Sequence, residues 1–321
     1  MRPFEPLFRN PHLLTILGNF WPREYDFGPY RTNRLHFRTD PDTQVLIVTH
    51  TPANAIGEVV LMHGLEGTAD SGYMRSMASR CLQAGFTAHC FHMRTCGGTE
   101  KLCKTLYHAG LTSDLRAFLE HRRRDNGGIP VFVIGFSLGG NVALKLAGEL
   151  GETDLLHGVV AISTPIDLAV CVQRLKKLDN FVYERRFVKR MQDRLAATGR
   201  YTLKEMARWR TIYDLDDHVT APSFGFRGAD HYYATQSSCN FLHAIRVPAL
   251  FIQAQDDTFV PFEIFSHAAF QSNPHLRLLA TRHGGHIGFL SRTGQRFWET
   301  EAAVEFLASQ VPAVAGTLTS R

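Results

Sequence analysis

The chain has 321 residues, 44% of them hydrophobic and 20% charged, with a formal net charge of +5. That composition supplies a sizeable core, excludes a disordered or low-complexity chain, and is not basic enough to indicate a nucleic-acid binder. The six cysteines (81, 90, 96, 103, 171 and 239) make no C-x-x-C pair and no metal-type spacing with histidine, so free thiols in a reducing compartment are expected and no metal is.

Residues 1–11 interrupt their apolar character with charge or proline every few positions, which is not the hydrophobic stretch of a secretory signal. No run of 18 apolar residues follows, so a soluble, cytoplasmic protein is expected. Two β-rich runs, 34–39 and 44–50, flank Asp-Pro-Asp and predict a hairpin. Short apolar runs then recur at 58–62, 87–92, 131–134, 159–163, 249–255 and 276–281. Helical patterns lie among them at 71–84, 112–124 and 138–150, with a last one at 295–309. Continuous apolar strands alternating with helices predict a mostly parallel, eight-stranded α/β sheet covered on both faces. The tail from residue 313 is small and polar enough to suggest disorder.

About eighty residues separate the run at 159–163 from the one at 249–255, too many for a simple crossover. Within them, 173–210 is helical in pattern and carries twelve Lys/Arg against four Asp/Glu, a net of +8. The expected organisation is a single domain over 1–321, with residues 168–240 inserted as a cap or lid over the C-terminal edge of the sheet, where open parallel sheets bind ligands. The basic stripe itself is most simply a solvated helix face.

The motif G-x-S-x-G at 135–139 sits between a predicted strand and a predicted helix. A sharp strand-to-helix turn there holds the Ser137 hydroxyl clear of the sheet, beside the first N–H groups of the helix. A serine needs a base, and the base needs an orienting acid. Downstream, the strand at 249–255 runs into Asp256 and Asp257, and the strand at 276–281 into His283-Gly-Gly-His286-Ile-Gly288. Asp257 is preferred as the acid and His286, with glycine on both sides of its loop, as the base. Asp256 then caps a turn and His283 is a packed polar residue, and a metal site on the two histidines lacks further ligands. The expected oxyanion donors are the backbone N–H of Leu138, directly after the nucleophile, and of Leu65, in the His63-Gly-Leu-Glu-Gly67 loop. His63 is expected to be structural. Arg94 and His108 either line the pocket or fix their loop. Cys96 is discounted as a nucleophile, and the aromatic residues of 224–233 either contact an acyl chain or pack the cap.

These segments, in this order, resemble the YheT-like branch of the α/β-hydrolase superfamily. The resemblance extends from Phe8-Arg-Asn-Pro-His-Leu-Leu-Thr-Ile16 through His63–Gly67, Arg94-Thr-Cys-Gly-Gly98, Leu106-Tyr-His-Ala-Gly110 and the serine motif to Asp216–Pro222, Gly225–Tyr233 and His283–Phe289. It implies an α/β-hydrolase fold and a triad at Ser137, Asp257 and His286. Thr258 stands where the branch commonly has proline, and Pro6-Leu7 where it has tryptophans, which affects the pocket wall and not the triad. The activity implied is hydrolysis of short- to medium-chain acyl esters without a cofactor. Transfer of the acyl group to an alcohol is the first alternative, and a non-catalytic scaffold whose basic cap binds an anionic partner the second. The expected partners are a small acyl ester and, peripherally, an anionic lipid surface, with no nucleic acid.

Overall fold

The short, mostly apolar runs become strands almost where the composition places them. The computed structural model describes residues 2–23 and 25–311, so the polar tail from 313 lies outside the described residues. The strands are β1 (Arg31–Asp40), β2 (Thr43–Thr51), β3 (Gly57–Met62), β4 (Phe86–Phe91), β5 (Val131–Phe136), β6 (Gly158–Ile162), β7 (Ala249–Ala254) and β8 (Leu276–Thr281). They form one sheet in the order β1-β2-β4-β3-β5-β6-β7-β8. The leading hairpin is present, but only β2 runs against the rest. It pairs antiparallel with both β1 and β4, which returns β1 to the common direction, and β3 to β8 are parallel.

Strand side chains alternate between faces with a period of two. Val60 and Met62 therefore enter a core shared with α3 (Ser113–Asp125) and α4 (Leu138–Leu150). Val59 and Leu61 enter the core beneath α2 (Gly72–Gln83) and the C-terminal helix Trp298–Ala308. Both faces of β3 to β7 are covered, which is why these strands are buried at every residue and not at alternate ones.

Two helical features add to the sequence reading. The first is α1 (Pro11–Phe20), which was not anticipated. Asn10 caps it by accepting from the Leu13 N–H at 3.0 Å, and Pro11 occupies the first turn, where no N–H is needed. The second is the long insertion between β6 and β7. It opens with α5 (Leu168–Leu175) and α6 (Phe181–Ala197) and continues in short helical turns to Ala244. Among the described residues, no helix is long and apolar enough to cross a membrane.

Candidate active site

Strand β5 ends at Phe136 and α4 begins at Leu138, leaving Ser137 alone at the corner with φ 49° and ψ −123°. A left-handed serine is strained, and close packing holds it there. Its N–H donates to the Ile162 carbonyl at 2.8 Å, and its own carbonyl accepts from Gly140 at 2.9 Å. A Cβ on Gly139 would lie 2.5 Å from the carbonyl oxygens of Met62 and His63, and one on Gly135 would lie 2.5 Å from the Gly140 Cα. The motif needs both glycines because backbone occupies the space of a side chain.

Five non-glycine residues have positive φ among the described residues: Glu66, Thr95, Ser137, Ser163 and Ile287. The first four follow the ends of β3, β4, β5 and β6, and Ile287 follows His286, so the strain gathers at one edge of the sheet. Backbone held this way is a feature of functional sites.

The histidine loop reaches the same edge. The Ser137 hydroxyl lies 3.0 Å from His286 Nε2, and His286 Nδ1 lies 3.0 and 3.1 Å from the two Asp257 oxygens. In the tautomer this requires, Nδ1–H donates to the carboxylate and Nε2 accepts from the serine. The Asp257 carboxylate is sealed from solvent and also accepts from the N–H groups of Phe259 and Val260 and from Gln253 Nε2, at 2.9–3.1 Å. The Phe259 ring packs on the imidazole with centroids 4.4 Å apart. The neighbouring pair is occupied elsewhere: Asp256 accepts from His283 Nδ1 and from the Gly285 N–H, both at 2.9 Å, and so ties the loop together.

Helix α1 completes this loop. Thr15 Oγ1 accepts from the His286 N–H at 2.9 Å while donating to the Pro11 carbonyl at 2.7 Å. The approach is close, since a Cβ on Gly288 would lie 2.5 Å from the Leu14 carbonyl oxygen.

The loop after β3 passes under the serine, where a Cβ on Gly64 would touch the Ser137 Cβ at 3.1 Å. Leu65 and Leu138 both line the cavity that holds Ser137, and neither N–H makes a backbone hydrogen bond among the described residues. His63 is structural: Nε2 accepts from the Met93 N–H at 3.1 Å, Nδ1 donates to the Gly64 carbonyl, and burial lowers its pKa to about 3. Glu66 fixes the loop from above. Its carboxylate accepts from Arg194 at 2.8 and 3.0 Å and from the Tyr107 hydroxyl at 3.0 Å, and its carbonyl accepts from Arg190. Sequence reading missed this clamp, as it missed Thr15.

Two cavities meet at Ser137, Leu65, Phe187, Phe259 and His286. The inner one, about 90 Å³, is walled mainly by apolar residues of the insertion such as Leu168, Val172, Leu175 and Met191. The outer one, about 140 Å³, opens between α1 and α6 past Ile16, Phe20, Tyr183 and Arg186. His108 lines the inner cavity with its pKa lowered to about 3 by burial, and it packs against Phe224 and Phe226. Arg94 instead fixes its loop through Asp114, Thr105 and Asp40. The Cys96 thiol is buried, and burial raises its pKa. Among the described residues, no cluster of three or more His, Cys, Asp or Glu is placed to hold a metal ion.

Residues 58–293 match a protein family described as having the alpha/beta hydrolase fold. YheT of Escherichia coli (strain K12) is 31% identical over 295 residues, which cover 89% of this chain and 86% of that protein. A monoacylglycerol lipase of Saccharomyces cerevisiae is 27% identical over 78% of this chain, the match taking in 58% of the yeast protein. Among solved structures, the Pyrococcus furiosus esterase Pf2001 has a TM-score of 0.61, with 97% of this chain and 100% of that chain covered. At 17% identity that likeness shows a shared fold alone.

Proposed function

The chain belongs to the α/β-hydrolase fold family, in its YheT-like branch, and from that membership we propose that it cleaves carboxylic esters through an acyl-enzyme on Ser137. The observation that carries this reading is the continuous hydrogen-bonded line Asp257–His286–Ser137, with contacts of 3.0–3.1 Å at the meeting point of two cavities. His286 takes the serine proton as Oγ attacks the ester carbonyl, and Asp257 holds the tautomer and stabilises the imidazolium. The N–H groups of Leu65 and Leu138 take the developing oxyanion. The same histidine returns the proton to the leaving alcohol and then activates the water that releases the acid.

The insertion acts as a cap. Its apolar wall favours a short- to medium-chain acyl group in the inner cavity, leaving the alcohol towards α1. The small ester substrate is drawn from an anionic lipid surface that the protein touches peripherally. The free cysteines, five of them buried, support a cytoplasmic location.

The test is turnover of p-nitrophenyl esters from acetate to palmitate, wild type beside Ser137→Ala. A loss of about 10³-fold or more is expected, with a maximum at one chain length. A variant that keeps more than about a tenth of the turnover would refute the acyl-enzyme. Ethyl esters appearing when ethanol is added would assign acyl transfer to the same intermediate.

A further inference from the structure

Exposed apolar side chains are unevenly placed on this molecule. Eleven large hydrophobic residues are exposed among the described residues, and six of them belong to α1 and to the start of α6 with the turn before it. On α1 they are Leu13, Ile16 and Phe20, spaced three and four apart along one face and 39–61% exposed. On the cap they are Leu178, Phe181 and Val182, again on one helical face, at 93%, 55% and 73%. The two faces adjoin. His12 stacks on Tyr183 with centroids 5.7 Å apart, and the Arg186 guanidinium lies 5.1 Å from the centre of the Phe20 ring. Single exposed apolar residues need no explanation, but a contiguous group marks an interaction surface.

The charge around this patch is mostly positive. Helix α1 carries no acidic residue, and of the carboxylates next to the cap face, Asp179 is held by both Arg174 nitrogens and Glu184 is buried. Arg9, Lys177, Arg185 and Arg186 stand at its rim with no ion-pair partner among the described residues. An apolar centre with a cationic rim suits an interface whose interior is hydrocarbon and whose surface is anionic. The outer cavity opens in the same place, since Ile16, Phe20 and Arg186 line it together with Ser137.

We propose that the joined faces of α1 and the start of α6 form the surface on which the protein docks to an anionic lipid layer, so that the mouth of the outer cavity meets the lipid. Leu178, Phe181 and Val182 enter the acyl region, and the basic rim meets the headgroups. An ester then passes from lipid to Ser137 without crossing water. The purpose of this docking rests on the ester-hydrolase reading, but the docking itself does not require Ser137 to react.

Binding and turnover are therefore measured separately. Full-length wild type and Ser137→Ala are sedimented with vesicles of phosphatidylcholine alone, or of phosphatidylcholine and phosphatidylglycerol in equal amounts. Both proteins should bind the anionic vesicles, and more tightly than the neutral ones. Leu178→Ser with Val182→Ser, neither of which lines either cavity, should weaken that binding by about tenfold or more. Lys177→Glu with Arg185→Glu should weaken it by about fivefold or more per residue. Turnover of p-nitrophenyl acetate in solution should stay as in wild type for both pairs. Equal binding to neutral and anionic vesicles, or unchanged binding in the serine pair, would overturn the proposal. So would a dimer in sedimentation that the serine pair dissociates, with no vesicle binding, because a second copy would then be the occupant. Vesicle binding with no Ser137-dependent turnover would refute the esterase reading and leave the docking surface standing.

Discussion

Replacing Arg194 by alanine should damage both stability and turnover, because one side chain ties the insertion to the loop after β3, where we place an oxyanion donor. Its guanidinium donates twice to Glu66 and once to Thr95 Oγ1 at 2.8 Å, and it lies 4.7 Å from the centre of the Tyr107 ring. Only 9% of the Arg194 side chain and 5% of the Glu66 side chain is exposed, so solvent cannot replace the lost partner. Burial works against the charge on Arg194, yet the adjacent Glu66 carboxylate keeps its pKa above the usual value. Removing one member of a buried pair leaves the other uncompensated, at about 3–5 kcal/mol. With a urea dependence of about 3 kcal/mol per molar, the midpoint should fall by about 1 M or more. If the Leu65 N–H is the oxyanion donor we propose, its displacement should lower kcat by up to about 10²–10³, with KM moving less. The double variant Arg194→Met with Glu66→Gln should regain most of the stability, since it leaves no buried charge. A loss below about 1 kcal/mol in Arg194→Ala, or no recovery in the double variant, would refute the clamp.

Thr15→Val removes the acceptor of the His286 N–H in nearly the same volume; it should cost about 1–3 kcal/mol in urea unfolding and lower kcat, and an unchanged kcat would show that α1 does not position the histidine. Glu299 is fully buried, and burial, only partly offset by Arg23, raises its pKa from 4.5 to about 7. Between those values the folded state binds more protons than the unfolded one, so this residue lowers stability as pH rises through the window. Glu299→Gln should therefore stabilise the protein by about 3 kcal/mol at pH 8 and by nearly nothing at pH 4, and a gain equal at both pH values would count against the assignment.

What could be read without coordinates was whatever depends on neighbours in the chain. Short, mostly apolar runs bounded by turn residues located the strands, and the spacing of Gly135, Ser137 and Gly139 between strand and helix located the corner that the backbone strain later marks. The choice of Asp257 over Asp256 was harder, because both leave the end of β7 and only the tertiary course of the loops shows which carboxylate faces His286 and which His283. Helix α1 escaped notice because apolarity does not mark its buried face: Leu13, Ile16 and Phe20 are exposed, whereas Thr15 and Gly18 are buried. Its one legible mark was Asn10-Pro11, a capping residue followed by a first-turn proline. The Glu66–Arg194 clamp left no mark at all. The two residues are 128 positions apart, and Arg194 is one of twelve cations in a stretch where a solvated face is the natural reading. A basic stripe on a helix thus divides, once folded, into residues with different work. Arg190 and Arg194 hold the loop after β3 through Glu66, whereas Arg185 and Arg186 are exposed and have no ion-pair partner among the described residues.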